Sequence, residues 1–397
     1  MRINILYEKP MNKSLSPDYL KRKIHKHLLN VGFVKNGKSY VINGELSKQR
    51  IRDLHAIHRS EAQEKMRWVL DKYGDLFEDS IADGEDLDPR AIDPELIEIK
   101  GGTRESYLFR MATMLWSIPV SQGFGRRMRF LIRDRQNGCI IGIFALGDPV
   151  FNLNARDSWI GWNHIDRAQH LINVMDAYVV GAIPPYSKIL SGKLIASLMT
   201  SNEVRIAYKN KYSERQGIIS HKKQSSNLAL ITTTSALGRS SLYNRLKVPD
   251  GSTFHRIGYT KGFGHFHLSG QIFEDMKDHL ASIGHPYAVA HEFGSGPNWR
   301  LRVVRAALKD LGINSSGVVK HGIKREIYAA PLANNFREVL LGKDAEVDEI
   351  NKSFCDISDW CLNRWVIPRS ERDTSYKEFR KEIVIKRLRN GGPGPTW

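Results

Sequence analysis

The most constraining feature of this chain is an apolar stretch at residues 174–199, VMDAYVVGAIPPYSKILSGKLIASLM. Its first half is rich in β-branched residues, and its second half, after a pair of prolines, has apolar residues at helical spacing. The first pattern predicts a buried strand and the second predicts a helix. A strand that feeds directly into a helix is typical of α/β proteins, whose ligands commonly bind where strands end. The stretch therefore predicts an α/β domain with a functional site near this join.

Other segments add strands to the same sheet. Residues 130–134 and 139–146 flank a Gln-Asn-Gly turn at 136–138, which predicts a β-hairpin. Residues 228–235, LALITTTS, predict a second buried strand, and the alternation over residues 254–268 predicts one more. With helical patterns on both sides, these strands predict an α/β (α+β) fold with a mixed sheet and flanking helices.

A chain of 397 residues is expected to divide into several domains. The patterns predict an N-terminal helical domain at 1–76, an acidic linker at 77–103, the α/β core at 104–270 and a basic helical region at 271–397. The linker either wraps the surface through its few apolar residues or is disordered. In the last region the helical pattern is expected to continue through 321–325 and 331–342, and the Gly/Pro-rich end is expected to be disordered.

The net charge of the chain indicates which class of molecule it binds. The formal net charge is +17, which favours a polyanion such as DNA, because bound lysine and arginine release counterions from phosphates. A merely basic enzyme is the alternative. The residues predicted to contact nucleic acid are Arg126, Arg127, Lys193, Lys222, Lys223, Arg302 and Arg305.

Cysteine content and hydropathy predict the compartment. Only three cysteines occur and none forms a Cys-x-x-Cys pair, which favours a reducing cytoplasm and argues against a structural zinc site. No run approaches the roughly 18 apolar residues of a membrane span. We therefore expect a soluble cytoplasmic protein without a membrane partner.

The segment at residues 152–162, NLNARDSWIGW, concentrates polar side chains between two tryptophans. Such a mixture predicts a pocket rim that orients a polar or planar ligand. A well-bonded loop with tryptophans anchored in the core is the alternative. The predicted rim residues are Asn152, Asn154, Arg156, Trp159 and Trp162.

Acid–base candidates lie close to the predicted strand ends. Asp148, Asp157 and Asp176 are candidate bases or orienting groups. His265 and His267, two residues apart, share a face of the predicted strand and are candidates for moving a proton. No cysteine or carboxylate lies near this histidine pair in the sequence, so no metal site is predicted.

A second polar turn follows the strand at 228–235. Arg239, Ser240 and Ser241 open a short helix, where backbone N–H groups favour an anion. Helix capping alone is the alternative explanation of these residues.

Two family resemblances extend this interpretation. SGKLIASLM at 191–199 resembles the acyl-CoA phosphate-binding turn of the GNAT acetyltransferases, although only Ala196 meets the family pattern, since Ser191 and Leu194 depart from it. The resemblance implies a GNAT-like core that binds acyl-CoA through Lys193, Ala196, Arg239, Ser240 and Ser241.

The second resemblance is longer and extends from about residue 20 to about residue 365. RDRQNGCIIGIFALGDPVFNLNARDSWIGW, TTTSALGRSSLYNRL, GYTKGFGHFH and GPNWRLRVVRAAL are similar to the DruA family of the Druantia anti-phage defence systems. It implies a role in defence together with other subunits, including a large helicase-like protein, but it brings no established reaction.

These observations support two hypotheses. The chain is either a DNA-facing recognition or recruiting subunit, or a GNAT-like enzyme that transfers an acyl or related group to phage nucleic acid or protein. The positive charge and the departures in the phosphate-binding turn favour the first.

Overall fold

The computed structural model of the chain describes residues 15–37, 39–120, 125–213, 227–248, 251–288, 297–343 and 346–390. The strands are β1 (Phe33–Asn36), β2 (Ser39–Ile42), β3 (Pro94–Glu98), β4 (Arg127–Asp134), β5 (Ile140–Gly147), β6 (Val174–Ala182), β7 (Leu230–Thr234), β8 (Lys247–Val248), β9 (Gly251–Ser252), β10 (His255–Tyr259) and β11 (Glu326–Pro331). The predicted disordered tail falls partly on residues 391–397, which lie outside the described ranges.

The α-helices are numbered in chain order in the same way. They are α1 (Pro17–Asn30), α2 (Lys48–Leu54), α3 (Ala56–Asp79), α4 (Arg104–Thr113), α5 (Asn154–Ile160), α6 (His164–His170), α7 (Ser191–Leu198), α8 (Asn202–Tyr212), α9 (Gly270–Ser282), α10 (Pro297–Asp310), α11 (Ser315–Val319), α12 (Phe336–Leu340), α13 (Phe354–Cys361), α14 (Ile367–Arg372) and α15 (Glu382–Arg389). None of the helices in the described ranges combines the length and the apolar character that crossing a membrane requires.

The chain forms two compact units, and the first is discontinuous in sequence. It comprises Met1–Leu46 and Gly262–Gly322. In α1, Ser16 caps the N-terminus by accepting a hydrogen bond from the Tyr19 N–H, and Leu20, Ile24 and Leu28 form one buried stripe. This stripe packs with the apolar faces of α9 and α10 in a single core, beside the β1–β2 hairpin.

The second unit comprises Ser47–Lys261 and Ile323–Trp397. It contains a seven-stranded sheet in the order β10-β11-β7-β6-β5-β4-β3, antiparallel except for the β6–β7 pair. β5 is buried along its whole length because one face packs against α7 and α13 and the other against α4. The predicted mixed α/β fold with flanking helices is confirmed.

The predicted strand-to-helix join is present at the middle of this sheet. β6 ends at Ala182, a cis Pro184–Pro185 bond and a 3₁₀ turn follow, and α7 begins at Ser191. β6 pairs with β7 only as far as Ala177 and Thr233, whereas it continues along β5 to Ala182. β6 therefore extends beyond the end of its pairing with β7, which ends at Thr234.

Three segments differ from the sequence-based expectation. Residues 94–98, in the predicted linker, form edge strand β3, because Leu96 and Ile97 pack on opposite faces of the sheet. Residues 326–331, within the C-terminal region that was expected to be mainly helical, form the buried strand β11 between β7 and β10. The strand predicted over 254–268 ends at Tyr259, and residues 262–268 belong to the first unit.

Candidate nucleic-acid interface

Helix α10, in the first unit, has an apolar face and a basic face. Val303, Val304, Ala307 and Leu308 are fully buried in the core of the unit. The exposed basic side chains are Arg302, Arg305 and Lys309. Since residues three and four apart are neighbours on a helix, these three cations form one stripe on its outer side.

This basic stripe of α10 forms one wall of a cleft of about 1120 Å³. The cleft is lined by His285, Tyr287, Arg302, Arg305, Ala306, Lys309, Asp310, Gly312, Ile313, Asn314 and Ser315. An open concave surface of this size suits a segment of a polymer or a large ligand.

An aromatic ring lies beside the cations of the cleft. The Arg302 guanidinium carbon is 5.9 Å from the centre of the Tyr287 ring, and the His285 ring lies 5.1 Å from it on another side. The Trp299 indole N–H holds this segment by donating to the Tyr287 carbonyl at 3.1 Å. Cations beside aromatic faces are characteristic of surfaces that bind nucleic acid, because they contact phosphates and bases together.

Asp310, the acidic residue that lines the cleft, is in contact with a histidine. Asp310 Oδ2 lies 2.6 Å from His279 Nε2. Among the described residues, no carboxylate forms an ion pair with Arg302, Arg305 or Lys309. In the described part of the chain, the cations of this wall are therefore not bound by a carboxylate, which favours an anion as their partner.

Arg126, predicted to contact nucleic acid, lies in the second unit, where its side chain forms hydrogen bonds with other residues of that unit. Its Nε donates to Asp148 Oδ1 at 2.6 Å, and its two terminal nitrogens donate to the Tyr208 hydroxyl and to the backbone carbonyls of Ile172 and Val174. Gly125, at φ +64°, allows this contact, since a Cβ atom there would lie 1.8 Å from Asp148 Oδ2. The pair Arg126–Asp148 thus anchors the start of β4.

The other predicted basic residues have separate positions. Arg127 is a half-buried residue of β4, and its backbone N–H donates to the Tyr212 hydroxyl at 2.9 Å. Lys222 and Lys223 lie outside the described residues. Of the predicted nucleic-acid contacts, the structure brings together Arg302 and Arg305.

Asp157, a candidate base, is held between two arginines in the second unit. Its Oδ1 accepts from Arg156 Nε at 2.9 Å and Nη2 at 2.7 Å, and its Oδ2 accepts from Arg167 Nη1 at 2.9 Å. The Arg156 side chain is fully buried and also donates to the Val150 and Phe151 carbonyls. This network fixes the bend before α5.

The tryptophans of the predicted pocket rim pack into the same bend. Trp162 is buried, and its indole N–H donates to the Leu340 carbonyl at 2.6 Å. Trp159 stacks on Phe336 with ring centres 5.0 Å apart. Asn152 and Asn154 are exposed beside them.

Asp176, the third acidic candidate, lies on β6 where that strand pairs with β7, opposite Thr232. It is half-buried, and Thr232 Oγ1 on β7 donates to its Oδ1 at 2.8 Å. Burial raises the pKa of Asp176 to about 6, although the Thr232 hydrogen bond and the positive charge of Arg156 oppose the shift. Such a carboxyl group exchanges protons near neutral pH, as a general base does.

The predicted anion-binding residues occupy two places in the second unit. Ser240 is buried, its hydroxyl accepts hydrogen bonds from the N–H groups of Leu242 and Tyr243, and its own N–H donates to Glu326 Oε2 at 2.9 Å. Arg239 and Ser241 are exposed next to it. In α7, Ala196 is fully buried in the core and Lys193 is half-buried near the helix start.

His265 and His267 lie in the first unit, in the segment before α9. His267 is buried, with its ring 4.6 Å from the ring of Phe33. Burial, and then the neighbouring His321, lower its pKa to about 3. A group with this pKa holds no proton to donate at neutral pH, so His267 packs as a neutral side chain.

Comparison with known proteins identifies the family. A family model described as Druantia protein DruA matches residues 45–342. A relative named Druantia protein DruA, from Escherichia coli (strain UMEA 4076-1), is 41% identical over 382 residues, which cover 96% of this chain and 94% of the relative. The chain belongs to the DruA family. No solved structure matches it, so the GNAT-like character of the core stays a prediction.

Membership of the DruA family confirms the expected family resemblance and the expected role in anti-phage defence. The chain is a component of a Druantia anti-phage defence system and therefore has other subunits as companions. Helical spacing in the sequence predicts the stripe of Arg302, Arg305 and Lys309 on α10, whereas Tyr287 and Asn314 come from neighbouring turns and carry no sequence signal for a cleft.

Proposed function

We propose that this DruA-family chain is the DNA-facing recognition or recruiting subunit of its defence system and binds DNA through the α10 cleft. The observation that carries the proposal is the stripe of Arg302, Arg305 and Lys309 along the cleft. The helicase-like partner implied by the family resemblance is then the protein recruited to the bound DNA. The proposal entails action in the cytoplasm, where incoming phage DNA is accessible.

The cleft favours contact with the phosphate backbone. Its cations are long, exposed and spaced along one helix face, and exposed lysine and arginine in such rows contact successive phosphates. Tyr287 adds a ring against which a sugar or an unpaired base packs. Backbone contacts of this kind give affinity with little dependence on sequence, as a subunit that meets varied phage genomes requires.

A salt titration tests the proposal. Binding of a fluorescent duplex is measured by anisotropy from about 50 to about 200 mM salt for the wild type and for the triple variant Arg302→Gln, Arg305→Gln, Lys309→Gln. Each lost phosphate contact is expected to reduce the slope of log Kd against log salt by about 0.9. Three lost contacts weaken binding at physiological salt by roughly a hundredfold, or about 2.7 kcal/mol.

A matched control variant distinguishes DNA binding at the α10 cleft from a general effect of the net positive charge. The variant Arg372→Gln, Lys386→Gln, Arg387→Gln removes the same charge from exposed positions in the second unit. We expect its salt slope to stay within about 0.5 of the wild type. Equal losses in both variants, or a wild type whose affinity ignores salt, would contradict binding in the cleft.

The alternative, a GNAT-like acyltransferase, has one observation in its favour. Asp176, with a pKa of about 6, lies on β6 opposite Thr232 of β7, near the end of the pairing between these parallel strands. Incubation of the protein with labelled acetyl-CoA and phage DNA tests this alternative. It predicts label on DNA or protein that Asp176→Asn abolishes, and neither binding nor transfer by the wild type would exclude it.

A further inference from the structure

A second group of cations gathers at the start of α7, in the other unit. Lys193 is in the first turn of α7, Arg245 ends the 3₁₀ turn at Tyr243–Arg245, and Arg364 lies in a π-helical turn at Leu362–Val366. The two arginines are exposed, and Lys193 is half-buried. The Lys193 Nζ lies 4.7 Å from the ring of Trp365, the neighbour of Arg364, and a Cβ atom at Gly192 would lie 3.9 Å from the side chain of Leu242, three residues before Arg245. Three segments that are distant in sequence therefore meet at the start of α7.

The charges are close enough to act on each other. The pKa of Lys193 is lowered by burial and then by the positive charges of Arg245 and Arg364. No ion pair with a carboxylate is found for any of the three cations within the described ranges. Like charges held together without a counter-charge destabilise the fold, and a bound anion removes that cost.

The surroundings of the cluster are preorganised. Lys193 Nζ is held 4.7 Å from the centre of the Trp365 ring. Leu190, directly before α7, has the left-handed φ of +64°, which is unfavourable for a residue with a branched side chain. Ser191, the first residue of α7, is fully buried, and its hydroxyl has no hydrogen-bond partner among the described residues. Strain and an unsatisfied hydroxyl at a helix start are features more typical of a binding site than of a scaffold.

The aromatic side chains favour a nucleotide over a simple anion. Trp360, four residues before Arg364, remains 38% exposed although its indole N–H donates to the Lys247 carbonyl at 2.9 Å. An anchored indole with an exposed face offers a stacking surface for a base. Phosphate oxygens are the natural partners of the guanidinium groups of Arg245 and Arg364.

We propose that Lys193, Arg245 and Arg364 bind the phosphate groups of a nucleotide, supplied either free as a nucleoside triphosphate or as a unit of a nucleic-acid strand. The site goes beyond the α10 cleft and does not depend on it. Arg239, Ser240 and Ser241 are not required, because the Ser240 N–H is already bonded to Glu326.

Calorimetry of the full chain with ATP, and anisotropy with a labelled single-stranded ten-nucleotide DNA, test the proposal at about 50 mM salt. The variant Arg245→Gln, Arg364→Gln alters exposed side chains only. Each lost charge-assisted hydrogen bond is expected to weaken binding about tenfold. The control Arg372→Gln, Arg387→Gln removes the same charge from exposed positions of the same unit and is expected to stay within about twofold.

The outcomes separate the two sources of the phosphate. Binding of ATP that the double variant weakens identifies a free nucleotide, and binding of the oligonucleotide alone identifies a strand. The anisotropy measurement with single-stranded DNA is repeated with Arg302, Arg305 and Lys309 changed to Gln. DNA binding through the α10 cleft and DNA binding through this site are then distinguishable. Absence of binding to both probes, or equal weakening in the variant and the control, overturns the proposal.

Discussion

Replacement of Asp157 by asparagine tests whether the bend before α5 is a structural ion-pair network. The change removes a carboxylate that neutralises Arg156 and Arg167, and leaves the fully buried Arg156 with its two backbone acceptors and one amide oxygen. Breaking a buried pair costs about 3–5 kcal/mol, and we take the lower end because the asparagine side chain keeps an acceptor oxygen. With a urea dependence of about 3 kcal/mol per M, the unfolding midpoint falls by about 1 M.

Urea unfolding followed by tryptophan fluorescence measures this shift, since Trp162 packs against Arg156 at 5.4 Å. The control Glu371→Gln removes one charge from the exposed ion pair with Arg90 and is expected to change stability by at most about 1 kcal/mol. Unfolding of Asp157→Asn at the wild-type urea concentration would refute the reasoning. Loss of function with unchanged stability would instead support Asp157 as the predicted base.

Two pH-dependent predictions follow from other buried groups. The pKa of His267 is about 3 in the folded chain and about 6.5 in the unfolded chain. The contribution of the neutral imidazole to stability is therefore fully present above pH 6.5. As the pH decreases towards 3, the free energy of unfolding falls by up to about 1.4 kcal/mol per pH unit. Urea midpoints between pH 7 and pH 5 should show this loss in the wild type and a smaller one in His267→Gln; parallel curves would contradict it. The pKa of Asp176, about 6, lies above its unfolded value of about 3.9, so stability falls as pH rises through this interval. Asp176→Asn is therefore expected to unfold at a higher urea concentration than the wild type at pH 8, and a lower midpoint there would show that the charged carboxylate stabilises the fold.

The elements that sequence reasoning placed correctly are those with a complete local pattern. β5 and β6 were predictable because continuous apolar runs mark strands covered on both faces. β11 was not predicted from the sequence, because Glu326–Pro331 is short and its strand character depends on β7 and β10 beside it. β3 is similar, since its two apolar residues become a strand only by pairing with β4.

The predicted domain boundaries after residues 76, 103 and 270 stay a prediction that limited proteolysis tests. The two compact units of the structure have different boundaries, and the first unit joins Met1–Leu46 to Gly262–Gly322. No local pattern announces such a discontinuous unit, because the apolar stripe of α1 does not specify which later helix will cover it.

For the candidate sites, the sequence by itself determined the positive charge, the family and the basic stripe of α10, because composition, motifs and helical spacing are local properties. Only the tertiary structure decided which charges are neutralised. It pairs Arg126 with Asp148 and Arg156 with Asp157, while Lys193 meets Arg245 and Arg364 from distant segments. Electrostatic energy depends on distance in space and on burial, and neither quantity is written in the order of the residues.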